Sequence, residues 1–549
     1  MASFPSPEQK EVIESDGSAL IVAGPGTGKT RTAIEKARWS IKRLTNPTTQ
    51  RVLFLSFSNA AIFRLAEAAK VNLTTQEKKI TKFQTYHSFA ADLVNAYGRF
   101  VGLPPKIQIA DTLERTLLVL ENDWDLYDDA IDNNLIVYAK SNGVITFEHL
   151  IPFAIKILTG IPSIRKVINR KYPVIIVDEF QDTSQQQWDL LRLIGDESSV
   201  TVFGDPNQII YSGLHKATAR RFEEFKVWKG VVETPFTPKN FRCGSVEILS
   251  FAESILQAKS FKANGDLNYF PLQYRTQLRV QLVLIWKAIR DQVGKNESVA
   301  FLTPSNKLAE EASLSLRVPP ANSKLAFPVY ASIVADETAF DSVRLAYTAF
   351  REYTLSIDDR TRHNVINSLL ALRVAWKGRK IAKNDKVELI TALEKQLEIK
   401  GTLFQILYSY LTQRPDEILM TDFILALSTL PKLDTVSRRI YENGLKELSS
   451  SPKDMQLNLF AEDRFNRLPK GLYGTNTGRG LTQVMTYYKS KGREFDFVVL
   501  ISDPREESTR TPLDEKQRLY YVSATRAKKW LGVIYYSNDI GNVLKPVVL

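Results

Sequence analysis

Short continuous apolar runs punctuate the chain and alternate with amphipathic stretches. The runs lie at 19–23, 173–177, 200–203 and 299–302, and polar or turn-forming residues follow each of them. Runs of this kind are typical of strands that are buried on both faces of a parallel sheet. A helical periodicity follows the first run, at 32–37. This alternation of strands and helices predicts an α/β fold.

The later part of the chain carries a different pattern. Between 352 and 477 apolar residues recur at helical spacing, as at 387–394, so we expect mainly helices there.

The chain has 549 residues, and at about 150 residues per domain this length allows roughly three or four domains. A hydrophobic content of 44% and a charged content of 24% are ordinary for a globular protein.

Composition excludes several classes of protein and site. A single cysteine, Cys243, rules out an intramolecular disulfide framework and a cysteine-rich metal site. The four histidines are not spaced as metal ligands on one helix face. No apolar run approaches the roughly 18 residues of a membrane span, and the N-terminus lacks a secretory pattern. We therefore expect a cytoplasmic protein with no membrane partner. The net charge of +12 favours a polyanion as the binding partner.

A glycine-rich segment follows the first predicted strand. It reads Ala-Gly-Pro-Gly-Thr-Gly-Lys-Thr at 23–30, and the helical pattern begins directly after it. Glycines let backbone N–H groups turn toward phosphate oxygens at a helix N-terminus, as a P-loop requires. Lys29 would reach the β- and γ-phosphates, and the Thr30 hydroxyl would coordinate Mg²⁺. The alternative is a glycine-rich turn, since Ala23 stands where the strict pattern has glycine.

Two further polar segments follow predicted strands. Asp178 and Glu179 come directly after the run at 173–177, where an α/β nucleotide site places metal and water chemistry. Asp178 would hold Mg²⁺, and Glu179 would orient or deprotonate the attacking water. Gln208 follows the run at 200–203 and could sense the γ-phosphate. The alternatives are a helix N-cap at the acidic pair and a simple turn before Gln208.

These segments, taken in order, resemble the superfamily 1 DNA helicases of the UvrD/Rep/PcrA type. The matching segments are Gln9, 23–30, 56–61, 85–89, 178–182, 204–211, 240–242, 486–495 and 518–527. The family's own form of the P-loop accommodates Ala23. Because the motifs run along nearly the whole chain, the resemblance is specific.

The resemblance implies two RecA-like P-loop NTPase lobes, each with a mainly helical insertion. The first lobe would comprise 1–87 and 166–237, with the insert at 88–165. The second would comprise 238–351 and 478–549, with the insert at 352–477. Boundaries drawn from motif positions carry errors of about 2–4 residues or more.

The resemblance also implies a role for each motif residue, with ATP and Mg²⁺ as cofactors. Gln9 would contact the adenine edge, Phe241 would stack on its face, and Glu494 would bind the ribose. Arg242 and Arg526 would act as arginine fingers that stabilise charge on the transferred phosphoryl group. The loop residues expected to contact the nucleotide are Ala23, Gly24, Gly26, Thr27, Gly28, Lys29, Thr30 and Arg31.

A second set of motif residues would line the DNA path. Its members are Phe57, Asn59, Tyr86, His87, Tyr211, Tyr488 and Lys491. Gly213 stands where the family usually has a base-stacking aromatic residue, and Tyr488 replaces the usual histidine. The grip on DNA is therefore expected to differ in detail, since base–aromatic stacking is worth roughly 1–3 kcal/mol per base.

The sequence thus predicts an ATP-dependent helicase that moves on single-stranded DNA and unwinds tailed duplexes, with 3′-to-5′ polarity implied by the resemblance alone. One alternative is a DNA-stimulated ATPase of a repair or anti-phage defence complex, which acts with a separate nuclease and unwinds little by itself. We expect no fused nuclease domain after the last motif. The other alternative is a nucleotide switch that is not a motor.

Overall fold

The computed structural model describes the first lobe and much of the second. The described residues are 4–122, 124, 128–210, 220–236, 245–290, 297–317, 331–333, 482–509 and 511–548. Tyr211, Gly213, Phe241, Arg242 and the predicted insert at 352–477 lie outside them.

The chain divides into two compact units. The larger unit comprises Met1–Gln108, Lys140–Ser305 and Thr486–Leu549, and the smaller comprises Ile109–Ala139 and Asn306–Met485. All the predicted site residues that are described belong to the larger unit.

In chain order the described strands are β1 (Ala19–Val22), β2 (Val52–Ser56), β3 (Thr81–Thr85), β4 (Gln108–Ala110), β5 (Val144–Thr146), β6 (Val174–Asp178), β7 (Ser199–Gly204), β8 (Glu233–Pro235), β9 (Leu267–Leu272), β10 (Val299–Thr303), β11 (Ala331–Ile333), β12 (Thr482–Thr486), β13 (Phe495–Ile501) and β14 (Ala527–Tyr536). Four of the strands, β1, β6, β7 and β10, coincide with the four predicted apolar runs.

Helices connect most of these strands. In chain order the described helices are α1 (Pro7–Glu14), α2 (Lys29–Ile41), α3 (Asn59–Asn72), α4 (Thr75–Ile80), α5 (Tyr86–Tyr97), α6 (Thr112–Glu121), α7 (Ile131–Asn142), α8 (Leu150–Gly160), α9 (Pro162–Lys171), α10 (Gln185–Gly195), α11 (Arg220–Lys229), α12 (Val246–Gln257), α13 (Leu278–Arg290), α14 (Asn306–Arg317), α15 (Tyr487–Ser490), α16 (Leu513–Ala524) and α17 (Gly541–Val548).

The first lobe is built on a parallel sheet with the strand order β3-β2-β6-β7-β1-β8. Strands β1, β2 and β6 are largely buried apolar runs, which explains why they lack polar alternation. Helices α2 and α3 contribute Ile34 and Leu65 to an apolar core that includes Phe54 of β2. The loops after β1, β6 and β7 leave the same edge of the sheet, where α/β proteins place their ligands.

The second lobe repeats this plan. Within the larger unit, β10, β13, β14 and β9 lie side by side in that order and are all parallel. Helices α12 and α16 pack together, and α17 packs on both. In the smaller unit β11 and β12 pair in parallel, with Ala331 opposite Thr482. The predicted α/β fold with two RecA-like lobes is confirmed.

None of the helices in the described ranges is long and apolar enough to cross a membrane.

Candidate functional site

The loop between β1 and α2 has the backbone of a phosphate-binding loop. Gly26 and Gly28 adopt positive φ angles of 75° and 89°, and Gly28 is the N-cap of α2. Residues with a Cβ rarely adopt this left-handed conformation, which is the physical reason for the two glycines. The turn therefore brings the loop to the N-terminus of α2, whose first N–H groups and helix dipole favour an anion.

Lys29 lies along this loop. Its Nζ donates to the carbonyl oxygens of Ala23 at 2.6 Å and Gly24 at 2.8 Å. The Thr27 hydroxyl donates to the same Gly24 carbonyl at 2.9 Å. The amine is thus held by loop carbonyls at the turn where the predicted phosphates would bind.

Gln9 joins the first helix to the loop. Its Nε2 donates to the Thr27 carbonyl at 2.8 Å, and its Oε1 accepts from the Ser6 backbone N–H at 2.9 Å. Ser6 caps α1 reciprocally, so Gln9 belongs to a capping box. The buried amide therefore fixes the segment before α1 against the P-loop.

Asp178 and Glu179 form a buried acidic pair after β6. Glu179 has a φ of 54° and ψ of 43°, a left-handed backbone that costs energy in a residue with a side chain. Burial and the neighbouring Glu179 charge raise the pKa of Asp178. Burial also acts to raise the pKa of Glu179, but Arg64, Lys491 and Lys29 outweigh it and lower that pKa. Opposite shifts in adjacent carboxyls are typical of functional sites.

A chain of hydrogen bonds links Glu179 to Gln208. Gln181 donates from Nε2 to Glu179 Oε2 at 2.8 Å, and its Oε1 accepts from the Asp205 backbone N–H at 3.1 Å. Asp205 Oδ2 in turn accepts from Gln208 Nε2 at 2.7 Å. Gln181, Asp205 and Gln208 are all buried. The carboxylate predicted to act as the catalytic base and the predicted γ-phosphate sensor are therefore parts of one network.

Arg64 joins the site although the motifs did not mark it. Its guanidinium Nη2 lies 3.4 Å from Glu179 Oε1. The strand register explains this contact, because Ser56 of β2 lies opposite Asp178 of β6 and α3 follows β2. A residue on the first turns of α3 therefore starts beside the acidic pair.

These groups surround one cavity of about 320 Å³. It is lined by Phe4, Pro25, Gly26, Gly28, Lys29, Thr30, Arg31, Arg64, Asp178, Glu179, Gln208 and Arg526. The structure thus brings together most of the predicted P-loop residues, the acidic pair and one predicted arginine finger.

Arg526 reaches this cavity from the second lobe, at the turn between α16 and β14. Its side chain is buried, and its Nε donates to the Val522 carbonyl at 2.7 Å. Its Nη2 donates to Thr525 Oγ1 at 3.1 Å. Glu494, predicted to bind the ribose, is absent from the described cavity lining and lies 3.9 Å from Lys528 Nζ.

Lys491 and Arg518 also cross from the second lobe to the first. Lys491 Nζ lies 2.7 Å from Asp182 Oδ1 and 2.8 Å from the carbonyl oxygen of Gln208. Arg518 Nε donates to the carbonyl of Ile209 at 2.7 Å. Burial raises the pKa of Asp182 to about 6, against the attraction of Lys491. Lys491, predicted to touch DNA, is therefore placed in the contact between the lobes.

Four of the predicted DNA-binding residues are at least partly exposed. Phe57 and Tyr488 are half-buried, and Asn59 is exposed at the start of α3. His87 is half-buried and stacks on Phe147, with ring centroids 4.1 Å apart and planes inclined by 18°.

Tyr86 differs from this set because its side chain has no exposed surface. Its ring packs in the interior at the start of α5, so no face is available to a base. The sequence could not distinguish Tyr86 from His87, since burial depends on how α5 packs. Phe147, 47% exposed, was not marked by any motif, and only its contact with His87 identifies it.

Within the described ranges, no group of three or more His, Cys, Asp or Glu side chains could hold a metal by itself. The predicted Mg²⁺ site of a nucleotide-binding protein needs only one carboxylate and a hydroxyl beside phosphate oxygens and water. Asp178 and Thr30 both line the cavity and supply that donor set.

Comparison with known proteins agrees with this geometry. The family model described as an AAA domain matches residues 9–214, and the UvrD-like helicase C-terminal domain matches 482–534. DNA helicase II of Haemophilus influenzae is 23% identical over 96% of this chain and 83% of its own length. DNA helicase II of Escherichia coli is 23% identical over 96% and 84%, and the ATP-dependent DNA helicase PcrA of Staphylococcus aureus is 21% identical over 98% and 83%. Over nearly its whole length the chain is therefore similar to DNA helicases of the UvrD/PcrA type.

Proposed function

We propose that this protein is an ATP-dependent DNA helicase that translocates 3′ to 5′ on single-stranded DNA and unwinds duplex. The observation that supports it most is the cavity lined by Lys29, Asp178 and Glu179 of the first lobe and Arg526 of the second. A P-loop enzyme needs both sets of groups around the γ-phosphate. The relatives' names describe DNA helicases.

In the proposed reaction Lys29 leaves its loop carbonyls and binds the β- and γ-phosphates. Thr30 and Asp178 would hold Mg²⁺, which would supply positive charge to neutralise the phosphates. Glu179 accepts a proton from the attacking water, a role that suits a carboxylate kept ionised by Arg64, Lys491 and Lys29.

Arg526 would stabilise the charge that spreads over the γ-phosphoryl oxygens. Arg242 would contribute in the same way, and Gln9, Phe241 and Glu494 would hold the nucleoside. Because Arg526 belongs to the second lobe, catalysis depends on how the two lobes meet.

Coupling to movement would pass through the contacts between the lobes. The hydrogen-bond chain runs from Glu179 to Gln208, whose carbonyl accepts from Lys491. Loss of the γ-phosphate would shift Gln208 and so change the contact with Lys491. A network with two arrangements is the kind of element that can convert hydrolysis into lobe motion.

The DNA strand would follow Phe57, Asn59, His87, Tyr211 and Tyr488. The stacked pair of His87 and Phe147 would offer bases an aromatic surface, a function that Gly213 cannot perform. Basic residues would hold the phosphates, so binding should weaken steeply with salt.

Unwinding of duplexes with a 3′ or a 5′ single-stranded tail tests the proposal. We expect strand separation from the 3′ tail only, with Mg²⁺ and ATP, and none with Glu179→Gln. Unwinding from the 5′ tail would contradict the polarity. ATP hydrolysis that DNA stimulates, without any strand separation, would favour the alternative function. That alternative is an ATPase subunit of a repair or defence complex that acts with a separate nuclease. The sequence feature that favours it is Gly213, which replaces the usual base-stacking aromatic residue.

A further inference from the structure

The second lobe presents a tight turn to the predicted hydrolysis site. The Arg493 backbone N–H donates to the Ser490 carbonyl at 2.9 Å, and Gly492 has a φ of 78°. Lys491, between them, has a φ of −56° and a ψ of 132°. These are the features of a type II β-turn with Lys491 and Gly492 at its central positions, the second of which needs a positive φ. The turn therefore places Gly492 directly beside Lys491, which contacts Asp182 of the first lobe.

Gly492 lies against Arg64 of the first lobe. A Cβ atom on Gly492 would lie 3.1 Å from Arg64 Nη2, which is closer than ordinary van der Waals contact. The lack of a side chain at Gly492 therefore leaves room for the guanidinium. Nη2 is also the atom that lies 3.4 Å from Glu179 Oε1. One nitrogen thus contacts the predicted catalytic base and packs on the backbone of the second lobe.

Few other contacts fix the guanidinium of Arg64. Among the described residues its side chain makes one hydrogen bond, to Glu179, and its buried Nε has no partner. A donor–acceptor distance of 3.4 Å is long for a hydrogen bond, so this contact constrains the planar group weakly. The packing against Gly492 therefore helps to define where Nη2 lies.

We propose that Gly492 is a positioning residue, which fixes Arg64 on Glu179 when the second lobe packs against the first. The inference rests on the proposed function and adds a second route by which the second lobe acts on the site. Arg526 contributes a charge to the cavity, whereas Gly492 contributes none and acts through a side chain of the first lobe. Arg64 therefore takes its place on Glu179 only when this turn is in contact with it.

Steady-state ATP hydrolysis with single-stranded DNA tests this role in the full-length protein. A methyl group at Gly492 would force Arg64 to move by a few tenths of an ångström. We expect Gly492→Ala to lower kcat by roughly fivefold and to change KM for ATP by less than about twofold, because small displacements at a reacting centre slow the chemical step. In an Arg64→Ala background the same change should have little further effect on kcat, since the group that the methyl displaces is gone.

Two variants separate this contact from the backbone strain of a Cβ at positive φ. Gly230→Ala introduces similar strain, since Gly230 has a φ of 63°, but the new Cβ would have open space around it among the described residues. It should leave kcat unchanged. Gly492→Asn keeps the turn, because asparagine adopts a positive φ more readily than alanine, yet it places a Cβ against Arg64. It should lower kcat as Gly492→Ala does.

Thermal melts without nucleotide or DNA give a readout that is independent of activity. Gly492→Ala should lower Tm by more in the unaltered protein than in Arg64→Ala, because only the former has a guanidinium to displace. Equal decreases in Tm would contradict the contact.

The kinetic outcomes separate this assignment from the proposed function. DNA-stimulated hydrolysis in the unaltered protein, with an unchanged kcat in Gly492→Ala, would overturn the assignment of Gly492 alone. So would equal losses of kcat in both backgrounds, or a loss in Gly230→Ala as large as that in Gly492→Ala. An unaltered protein whose hydrolysis DNA does not stimulate would overturn the proposed function, and this assignment with it.

Discussion

Lys491 Nζ from the second lobe lies 2.7 Å from Asp182 Oδ1 of the first lobe, and both side chains are largely buried. The same amine also binds the carbonyl of Gln208, which ends the hydrogen-bond chain from Glu179. One cation therefore contacts both the acidic motif and the predicted phosphate sensor. Beside Arg526, which lines the cavity itself, this contact connects the predicted hydrolysis site with the second lobe.

Lys491→Met should weaken the stimulation of ATP hydrolysis by DNA. Removing one partner of a buried ion pair leaves the other charge without compensation and costs about 3–5 kcal/mol. We expect at least a tenfold loss in DNA-stimulated kcat, with a smaller change in KM for ATP. Steady-state kinetics would check this, with Lys489→Met in the short helix that precedes Lys491 as the control. An unchanged kcat in Lys491→Met would count against the coupling path.

A double-mutant cycle measures that contact itself. If Lys491 and Asp182 act as a pair, the loss in kcat from Lys491→Met and Asp182→Asn combined should be clearly smaller than the product of the single losses. Multiplicative losses would show that the two residues act independently.

The pH dependence of stability should reveal Asp182. Its pKa is raised from 3.8 to about 6 in the folded protein, chiefly by burial. The group therefore contributes stability that is fully present below about pH 3.8 and is lost as the pH rises through about 6. Thermal melts between these values should show a downward slope from this group that Asp182→Asn removes. An identical slope in the variant would contradict the assignment.

Arg64 should keep Glu179 ionised. Arg64 is the largest of the charges that lower the pKa of Glu179 against the effect of burial. We expect Arg64→Ala to reduce kcat by about tenfold or more and to move the acidic limb of the kcat–pH profile to higher pH. Lys70→Ala, an exposed change on the same helix, is the control. A reduced kcat with an unshifted profile would assign Arg64 a different role.

The stacked rings of His87 and Phe147 should contribute to DNA binding. Loss of one stacking surface costs roughly 1–3 kcal/mol per base. Phe147→Ala should therefore raise the concentration of single-stranded DNA that half-saturates the protein by about fivefold or more, as measured by fluorescence anisotropy. Equal DNA affinity in this variant would exclude the pair from the DNA path.

The P-loop and the acidic pair could be predicted from sequence because each is a continuous segment with its own chemistry. Glycine suits positions 26 and 28 because φ is positive there. A carboxylate directly after a buried strand marks the edge of the sheet where ligands bind. The fold class followed from the same apolar runs.

The remaining features depend on contacts between distant segments. Arg64 reaches Glu179 only because β2 pairs with β6, and Phe147 meets His87 across the packing of separate elements. The motif pattern predicted that Tyr86 and Lys491 contact DNA. In the structure Tyr86 is buried and Lys491 forms an ion pair with Asp182. The spacing of motif residues along the chain does not indicate which of their side chains face the interior.

The most direct test is the rate of ATP hydrolysis with and without single-stranded DNA, measured for the unaltered protein, Glu179→Gln and Arg526→Ala. We predict strong stimulation by DNA in the unaltered protein, and a loss of at least 100-fold in each variant, since a general base and an arginine finger each contribute on about that scale or more. A rate of hydrolysis that DNA does not change, or that persists in Glu179→Gln, would contradict the claim that this cavity is the ATP-hydrolysis site of a DNA motor.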